Sequence, residues 1–413
     1  MMKLLRRIIP PQCLSAYHLT LAFLGALLYG FPSRKLTLIG VTGTNGKSTC
    51  VEMLSRVLNA SGKKTASISS IRFEVGGVEE RNRLKMTMPG RLRVQRFLRE
   101  AVKQGCEYAV LEVTSEGILQ HRHRFLGFDV AVFTNLSPEH IERHGSYEKY
   151  REAKGSFFSQ ISGIHVVNMN DKEAEYFLSF PAQEKWGYGI DAAKGEKVVV
   201  GRNVQADEKG SSFEVEGVLF RLRLQGRFNV SNALCAIATA RSQGVSLKIC
   251  KQALEGIEKV PGRMEEIASS PFRVVVDYAF TPAALEQVYA SLKPKKGKLI
   301  CVLGAAGGGR DRWKRKVLGT IAQEHCDKVV VTNEDPYEED PMAIMDEVAQ
   351  EGAVKILDRR EAIRKAISLA QVGDVVVVTG KGSEDSMAVA GGKKIPWDDR
   401  DVIREELDAM GKS

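Results

Sequence analysis

The chain has 413 residues, and its 60 Lys and Arg residues against 51 Asp and Glu residues give a formal net charge of +9. Hydrophobic residues make up 43% and charged residues 27%, which indicates a folded globular protein and excludes a disordered one. A mean hydropathy of −0.18 excludes a protein built from many membrane spans. At roughly 100–200 residues per domain, the length predicts two or three domains. The charge fits nucleic acid, phosphorylated metabolites or a membrane surface as the partner.

The first 35 residues combine basic and apolar character. Lys3, Arg6 and Arg7 precede two prolines, and an apolar stretch follows over residues 14–31. Three interpretations stay open: a helix packed on the protein, an interfacial helix whose basic flank contacts anionic lipid, and a membrane span, for which the stretch is at the short limit of roughly 20 residues. A signal peptide is disfavoured because an apolar strand of a folded domain begins directly afterwards.

Short apolar strands alternate with helical patterns up to about residue 181. The strands are expected at 36–41, 108–113, 129–135 and 165–170. Val51, Leu54 and Leu58 recur on one face of the first helix. This alternation predicts a parallel sheet covered by helices on both faces. Residues 186–225 alternate in polarity between Gly-rich turns, which predicts an antiparallel β insertion.

A second series of strands follows a helix near 230–243 and a Pro-Gly-Arg linker at 261–263. These strands are expected at 272–279, 297–305, 327–334, 353–358 and 373–380. The chain is therefore predicted to be an α/β protein with three parts. They are the short N-terminal segment (1–35), a central parallel-sheet domain with the β insertion (36–262) and a smaller Rossmann-like α/β domain (263–413).

The strongest local motif is a glycine-rich loop between the first strand and the first helix. Its residues are Gly43, Thr44, Asn45, Gly46, Lys47 and Ser48. Backbone amides of such a loop bind phosphates at a helix N-terminus. Lys47 is expected to neutralise the β- and γ-phosphates and Ser48 to hold Mg²⁺. Because Val41 stands where the strict P-loop pattern has glycine, the motif is a shortened P-loop of an ATPase-type domain.

Polar side chains follow several of the predicted strands. Glu112 ends one strand, and His140 and His144 come after the next. Ligands gather at the carboxyl ends of parallel strands, so Glu112 is a candidate Mg²⁺ ligand, with an ordinary surface carboxylate as the alternative. In the second domain, Asp277, residues 303–315, 333–335 and 380–384 are similarly placed and predict a cleft.

The stretch 81–99 holds seven basic residues and no acidic one. A solvated basic face and attraction of an anionic substrate are both compatible with it. The seven cysteines are scattered without a Cys-x-x-Cys pair. This is typical of reduced thiols in a cytoplasmic protein.

Taken in order, these motifs resemble the Mur ligase family, and MurE-type members in particular. The matching segments are GVTGTNGKST, EVTSE, FTNLSPEHIERHGSYEKYREAK, GRFNVSNALCAIA, VPGRME and VVDYAFTPAAL, and the resemblance extends from Leu36 to the C-terminus. It implies an ATP-dependent, ADP-forming amide ligase of peptidoglycan synthesis. The implied partners are a muropeptide-like anionic substrate and a free amino acid, without nucleic acid.

The resemblance also implies a role for individual residues. ATP is bound by Gly43, Thr44, Asn45, Gly46, Lys47, Ser48, Thr49, Asn229, Arg263 and Asp277. Mg²⁺ is bound by Ser48 and Glu112, with His140 at a second metal site, and a carbamate formed on Lys154 with CO₂ helps to position Mg²⁺. The carboxylate substrate and the amino acid meet Thr87, Ser115, Arg310, Glu334, Asp335, Tyr337, Gly380 and Glu384.

Four departures from the family pattern stand out. Phe280 and Glu116 replace histidines, and Tyr337 replaces an arginine that would pair with a distal carboxylate of diaminopimelate. About 35 residues precede the first strand, where this type usually has a UDP-binding domain. Alternatives are a related ligase for a lipid-linked muropeptide or a folate-type acceptor, a P-loop NTPase acting on nucleic acid, and a non-catalytic binding protein. The N-terminal segment adds an expected peripheral membrane contact, and no oligomeric state is predicted.

Overall fold

The computed structural model of the protein describes residues 10–191 and 197–411. The α-helices are α1 (Pro11–Leu28), α2 (Lys47–Ala60), α3 (Arg91–Lys103), α4 (Ser115–Leu119), α5 (Ile141–His144), α6 (Tyr147–Phe158), α7 (Ala174–Leu178), α8 (Arg227–Ser242), α9 (Leu247–Glu255), α10 (Pro282–Leu292), α11 (Trp313–His325), α12 (Pro341–Val348), α13 (Arg359–Leu369) and α14 (Asp399–Ala409). The β-strands are β1 (Thr37–Thr42), β2 (Thr65–Ile68), β3 (Arg72–Val75), β4 (Val78–Arg81), β5 (Tyr108–Glu112), β6 (Val130–Phe133), β7 (Ile164–Asn168), β8 (Glu184–Ile190), β9 (Val198–Asp207), β10 (Gly210–Val215), β11 (Val218–Leu222), β12 (Glu265–Ala268), β13 (Arg273–Val276), β14 (Leu299–Leu303), β15 (Lys328–Thr332), β16 (Val354–Ile356), β17 (Val375–Val378), β18 (Ser386–Val389) and β19 (Lys393–Pro396).

The first sheet has the strand order β11-β10-β9-β8-β7-β6-β1-β5-β2-β3-β4. Its centre, from β2 to β9, is parallel, and both ends are antiparallel. The apolar strands β5 and β6 are buried throughout, as expected for a sheet covered on both faces. One side packs against α2, α8 and α9, and the other against α3, α6 and α7.

The predicted β insertion is antiparallel only in part. β8 joins β7 in parallel, and β9 joins β8 in parallel, so the antiparallel part is limited to β9, β10 and β11. All of these strands extend the first sheet. The alternating polarity of residues 186–225 reflects a sheet with one exposed face, and it carries no information about strand direction.

The second sheet has the order β12-β13-β17-β14-β15-β16 and is parallel except at β12. α10, α11 and α12 cover one face, and α13 and α14 cover the other. The predicted α/β fold with a second, smaller sheet is therefore confirmed. The domain boundary expected between residues 262 and 263 stays a prediction.

The N-terminal helix α1 packs against α3 through small residues. Ala22, Gly25 and Ala26 are buried, and a Cβ atom on Gly25 would lie 3.3 Å from the Leu92 side chain. In the described parts of the chain, every helix is too short or too polar to cross a membrane.

Candidate active site

The phosphate loop is tightly enclosed by its neighbours. Gly43 and Gly46 have φ angles of 147° and 82°, a region that favours glycine. A Cβ atom on Gly43 would lie 1.9 Å from the Thr134 hydroxyl, and one on Gly46 would lie 2.4 Å from the Asn232 amide oxygen. The loop ends at Lys47, the first residue of α2, so it lies at the positive end of that helix dipole. The Lys47 amine donates to the Thr44 carbonyl at 2.8 Å.

Glu112 is the acidic partner of this loop. It lies at the end of β5, in register with Val41 of the neighbouring β1, and is buried. Its Oε2 accepts hydrogen bonds of 2.9 Å from the Ser48 hydroxyl and from the Ser70 amide, and Lys47 Nζ is 3.8 Å from its Oε1. Ser48 and Glu112, predicted as metal ligands, are therefore adjacent. Ser70 was not predicted because no motif distinguishes it.

Lys154 is buried beneath the phosphate loop, with 1% of its surface exposed. Its Nζ donates to the Gly43 carbonyl at 2.8 Å and to the Thr42 hydroxyl at 3.4 Å. Burial and the nearby Lys47 hold the pKa of Lys154 well below its ordinary value, which favours a neutral amine.

His140 directly precedes α5 and has a left-handed conformation, with φ of 57°. Solvent in the cleft reaches its side chain, yet desolvation by the surrounding protein, with Lys154 and Lys314 nearby, lowers its pKa to about 3. The imidazole is thus neutral at physiological pH. Ligand atoms of His140, Glu139 and Asp311 lie within 4.8 Å of one another.

Contacts between the segment after β6 and the segment after β14 complete this side of the cleft. Asp311 accepts the backbone N–H of His140 at 2.5 Å, and Lys314 forms a buried ion pair of 2.7 Å with Glu139. Lys314 Nζ also lies 4.9 Å from the ring centroid of Phe280, the residue that replaces the family histidine. The cationic run at 303–315 was predicted, but its acidic partner Glu139 was not.

The residues expected to bind the nucleotide and to form the linker contact other parts of the chain. Asn229 donates to the Gln225 carbonyl at 2.8 Å, and Arg263 donates to the Ser70 hydroxyl at 3.1 Å. The Arg263 guanidinium lies 4.3 Å from the ring centroid of Tyr278. Both oxygens of Asp277 accept backbone N–H groups, from Met264 and Ala279, each at 2.7 Å. Asp277 therefore fixes the turn that leads into the second sheet.

The expected amino-acid side of the cleft is an ionic cluster. Asp335 accepts from Lys85 at 2.8 Å and from Lys381 at 3.0 Å, and Glu384 accepts from Lys381 at 2.5 Å and from the Tyr278 hydroxyl at 3.0 Å. Burial alone would raise the pKa of Asp335, but Lys381 and Lys85 outweigh it and hold that pKa below its ordinary value. Lys85 belongs to the basic stretch 81–99, which thus reaches across the cleft.

Glu334, Arg310 and Tyr337 line the same region. Glu334 is buried, its Oε2 has no hydrogen-bond partner among the described residues, and burial raises its pKa. A Cβ atom on Gly380 would lie 2.2 Å from that oxygen, so glycine is required there. The Arg310 guanidinium lies 5.1 Å from the Tyr337 ring centroid.

The predicted site residues line a single cavity of about 2360 Å³ between the two sheets. Thr49, Thr87 and Ser115 are among them. Ser115 contacts His144 Nε2 at 3.0 Å. Within the described ranges, Thr87 forms no hydrogen bond to another predicted site residue.

Two family models match the chain: the Mur ligase middle domain over residues 41–240 and the Mur ligase glutamate ligase domain over residues 262–382. The chain belongs to the Mur ligase family of ATP-dependent ligases. Among its relatives, UDP-N-acetylmuramyl-tripeptide synthetase of Roseiflexus sp. is 38% identical over 95% of this chain and 83% of the relative. UDP-N-acetylmuramoyl-L-alanyl-D-glutamate–2,6-diaminopimelate ligase of Bacillus cereus is 34% identical over 94% and 81%. The resemblance to MurE-type members is confirmed.

Solved structures agree with this assignment. A UDP-N-acetylmuramoyl-L-alanyl-D-glutamate–2,6-diaminopimelate ligase is 30% identical with a TM-score of 0.62, over 92% of this chain and 79% of that one. A Mycobacterium tuberculosis folylpolyglutamate synthase complexed with ADP and AMPPCP has a TM-score of 0.71 at 19% identity, over 88% and 92%. The second similarity concerns the fold alone.

Proposed function

We propose that this protein joins an amino acid to the peptide carboxylate of a UDP-N-acetylmuramoyl-peptide precursor and converts ATP to ADP and phosphate. The names of its MurE-type relatives support this substrate class. The observation that carries the proposal is the single cavity, which joins a phosphate loop on the first sheet to an ionic cluster on the second. A ligase that couples ATP to amide formation needs these two sites to open into one space.

The residues present fit a Mg²⁺ ion beside the phosphate loop. Ser48 and Glu112 offer hard oxygen ligands 2.9 Å apart beside this loop, while the neutral imidazole of His140 lies with Glu139 and Asp311 and would contribute to a second ion. The neutral amine of Lys154 is the form that reacts with CO₂, and a carbamate there would add another oxygen ligand. When bound, Mg²⁺ spreads the negative charge that develops on the transferring phosphoryl group.

The chain's own residues have distinct tasks in this reaction. The amides of the phosphate loop and the Lys47 ammonium hold the β- and γ-phosphates in line with the substrate carboxylate. The carboxylate oxygen attacks the γ-phosphorus, and ADP leaves. The amine of the amino acid, held at the second sheet, then attacks the acyl phosphate, and inorganic phosphate leaves. Positioning supplies much of the rate, and no side-chain nucleophile is required.

The second sheet disfavours an amino acid with a distal carboxylate. Tyr337 stands where diaminopimelate-adding members have an arginine, and the carboxylates of Asp335 and Glu384 line the same cluster. A second carboxylate would therefore lack the bidentate arginine at this position, while Lys85 and Lys381 are already paired with Asp335 and Glu384. We propose that the preferred amino acid has no carboxylate on its side chain.

A phosphate-release screen tests this function. It crosses UDP-N-acetylmuramoyl-dipeptide, a lipid-linked muropeptide and folate acceptors with each amino acid, diaminopimelate included. Phosphate release that requires UDP-N-acetylmuramoyl-dipeptide and one amino acid is expected, and Lys47→Ala should abolish it. Release only with the lipid-linked or the folate acceptor would show that the protein has the activity of those related ligases instead. If no combination of acceptor and amino acid gave release, the proposal would be refuted.

A further inference from the structure

The outer face of α1 is an exposed apolar stripe, of which Phe23 also packs against Phe125. The helix contains no Asp, Glu, Lys or Arg between Pro11 and Leu28. Its exposed large side chains are Tyr17, Phe23, Leu24, Leu27 and Leu28, with 43–72% of their surfaces accessible. These positions recur three, four or seven residues apart and therefore share one face of the helix. A contiguous exposed apolar surface of this kind is typical of an interaction site.

The other face of α1 is already occupied. Ala22, Gly25 and Ala26 are buried, and Gly25 packs so closely on Leu92 of α3 that an added methyl group would be crowded. The Ser15 hydroxyl is also hydrogen-bonded to His121 at 2.7 Å. The helix is therefore held in this orientation, and rotation cannot bury the stripe without breaking these contacts.

Exposed arginines lie on the segment that follows α1 and on α3, which packs against α1. The Arg34 guanidinium lies 4.5 Å from the Phe31 ring centroid, and Phe31 in turn contacts Phe23 of the stripe. Arg93 and Arg96 are exposed on α3, close in sequence to Leu92, and the Arg93 guanidinium lies 5.7 Å from the ring centroid of Phe73 in β3. None of these arginines forms an ion pair with an acidic residue in the described ranges, whereas Arg81, of the same basic stretch, pairs with Asp398 at 2.8 Å.

We propose that α1 and the exposed face of α3 dock on the surface of an anionic lipid bilayer. α1 would lie in the plane of the interface, with its apolar stripe at the headgroup and acyl boundary and the arginines on lipid phosphates. Lys3, Arg6 and Arg7 precede α1 in the sequence and lie outside the described residues. Nucleic acid would match the arginines and leave the apolar stripe in water. A second copy of this surface would bring like charges together.

Vesicle flotation tests the docking surface. The protein is mixed with phosphatidylcholine vesicles that contain or lack phosphatidylglycerol. We expect at least about tenfold more binding to the anionic vesicles, and a loss of that binding at high salt. A Leu27→Gln, Leu28→Gln variant should lose at least about tenfold in binding, and so should Arg93→Glu, Arg96→Glu.

A matched control uses exposed apolar residues elsewhere. Val372 and Ile395 are 84% and 49% exposed on the other half of the molecule, and their double replacement by Gln should bind vesicles like the unaltered protein. The midpoint of thermal unfolding, measured for each variant, verifies the fold independently of any activity. Equal binding to both vesicle types, or anionic binding that the Leu27 and Leu28 changes leave intact, would overturn the proposal. If the protein forms a dimer without lipid and the Leu27 and Leu28 changes dissociate it, the stripe is instead a contact with a second copy of the chain.

Discussion

Replacement of Lys154 by Met separates a catalytic role from a structural one. Met keeps the unbranched apolar length of the buried side chain and removes the amine. The loss includes the 2.8 Å hydrogen bond to the Gly43 carbonyl, worth about 1 kcal/mol. In the native protein, burial disfavours the charged ammonium and lowers the pKa of Lys154. Met carries no charge, so this cost to the free energy of unfolding is removed. These effects oppose each other, so the free energy of unfolding should change by about 1 kcal/mol or less.

Activity should respond very differently from stability. If a Lys154 carbamate helps to hold Mg²⁺, its loss removes a preorganised charge-stabilising group, which costs about 10²–10³-fold in kcat. Phosphate release and thermal unfolding are measured in parallel, with Lys149→Met, an exposed lysine on the same helix, as the control. Acetate or formate should partly restore the Lys154→Met activity, and carbon-13 bicarbonate should label only proteins that retain Lys154. Full activity of Lys154→Met, or a loss that accompanies unfolding and no acid restores, would refute the carbamate.

Three further changes test other parts of the structure. Gly46→Ala should weaken ADP binding in calorimetry by at least about tenfold, because the new Cβ atom would meet a side-chain amide of α8. Gly62→Ala is the control: Gly62 has a similar φ of 85° and open space around it, so this variant should bind ADP like the unaltered protein. His123 is buried, and burial lowers its pKa from 6.5 to about 4. As the pH falls through that window, the unfolded chain takes up a proton before the native protein does, so the free energy of unfolding should decrease by about 3 kcal/mol. In urea unfolding, His123→Leu should lack this decrease. Lys314→Met should destabilise by about 3–5 kcal/mol in the same assay by leaving Glu139 buried and unpaired, and a second change of that glutamate to Leu should recover most of the loss.

Local patterns predicted the parts of the site that lie next to a strand. The phosphate loop, Glu112 and the strands of both sheets follow from buried apolar runs and from the rule that ligands meet the carboxyl ends of parallel strands. The family resemblance added Lys154, which the helical pattern alone does not distinguish from an exposed lysine. In the structure this residue is 1% exposed.

Contacts between distant segments could not be predicted from the sequence. Lys85 and Asp335 are 250 positions apart, and nothing in the charge pattern of residues 81–99 indicates that its first members pair with the second sheet. Ser70, which contacts Ser48, Glu112 and Arg263, lies in a segment without a motif. The parallel pairing of β8 and β9 was missed for a related reason, since strand direction depends on the path of the connecting chain rather than on polarity.

Two contacts, one of the phosphate loop and one of its neighbour Ser70, connect this region to the second half of the molecule and have a thermodynamic consequence. Thr281 donates to the side chain of Asn45 at 3.3 Å, and Arg263 reaches Ser70 beside Ser48. A nucleotide that binds more tightly when these two contacts are formed therefore also stabilises the conformation in which the amino-acid side of the cleft is in place. Because linkage is reciprocal, the factor by which ATP tightens amino-acid binding must equal the factor by which the amino acid tightens ATP binding.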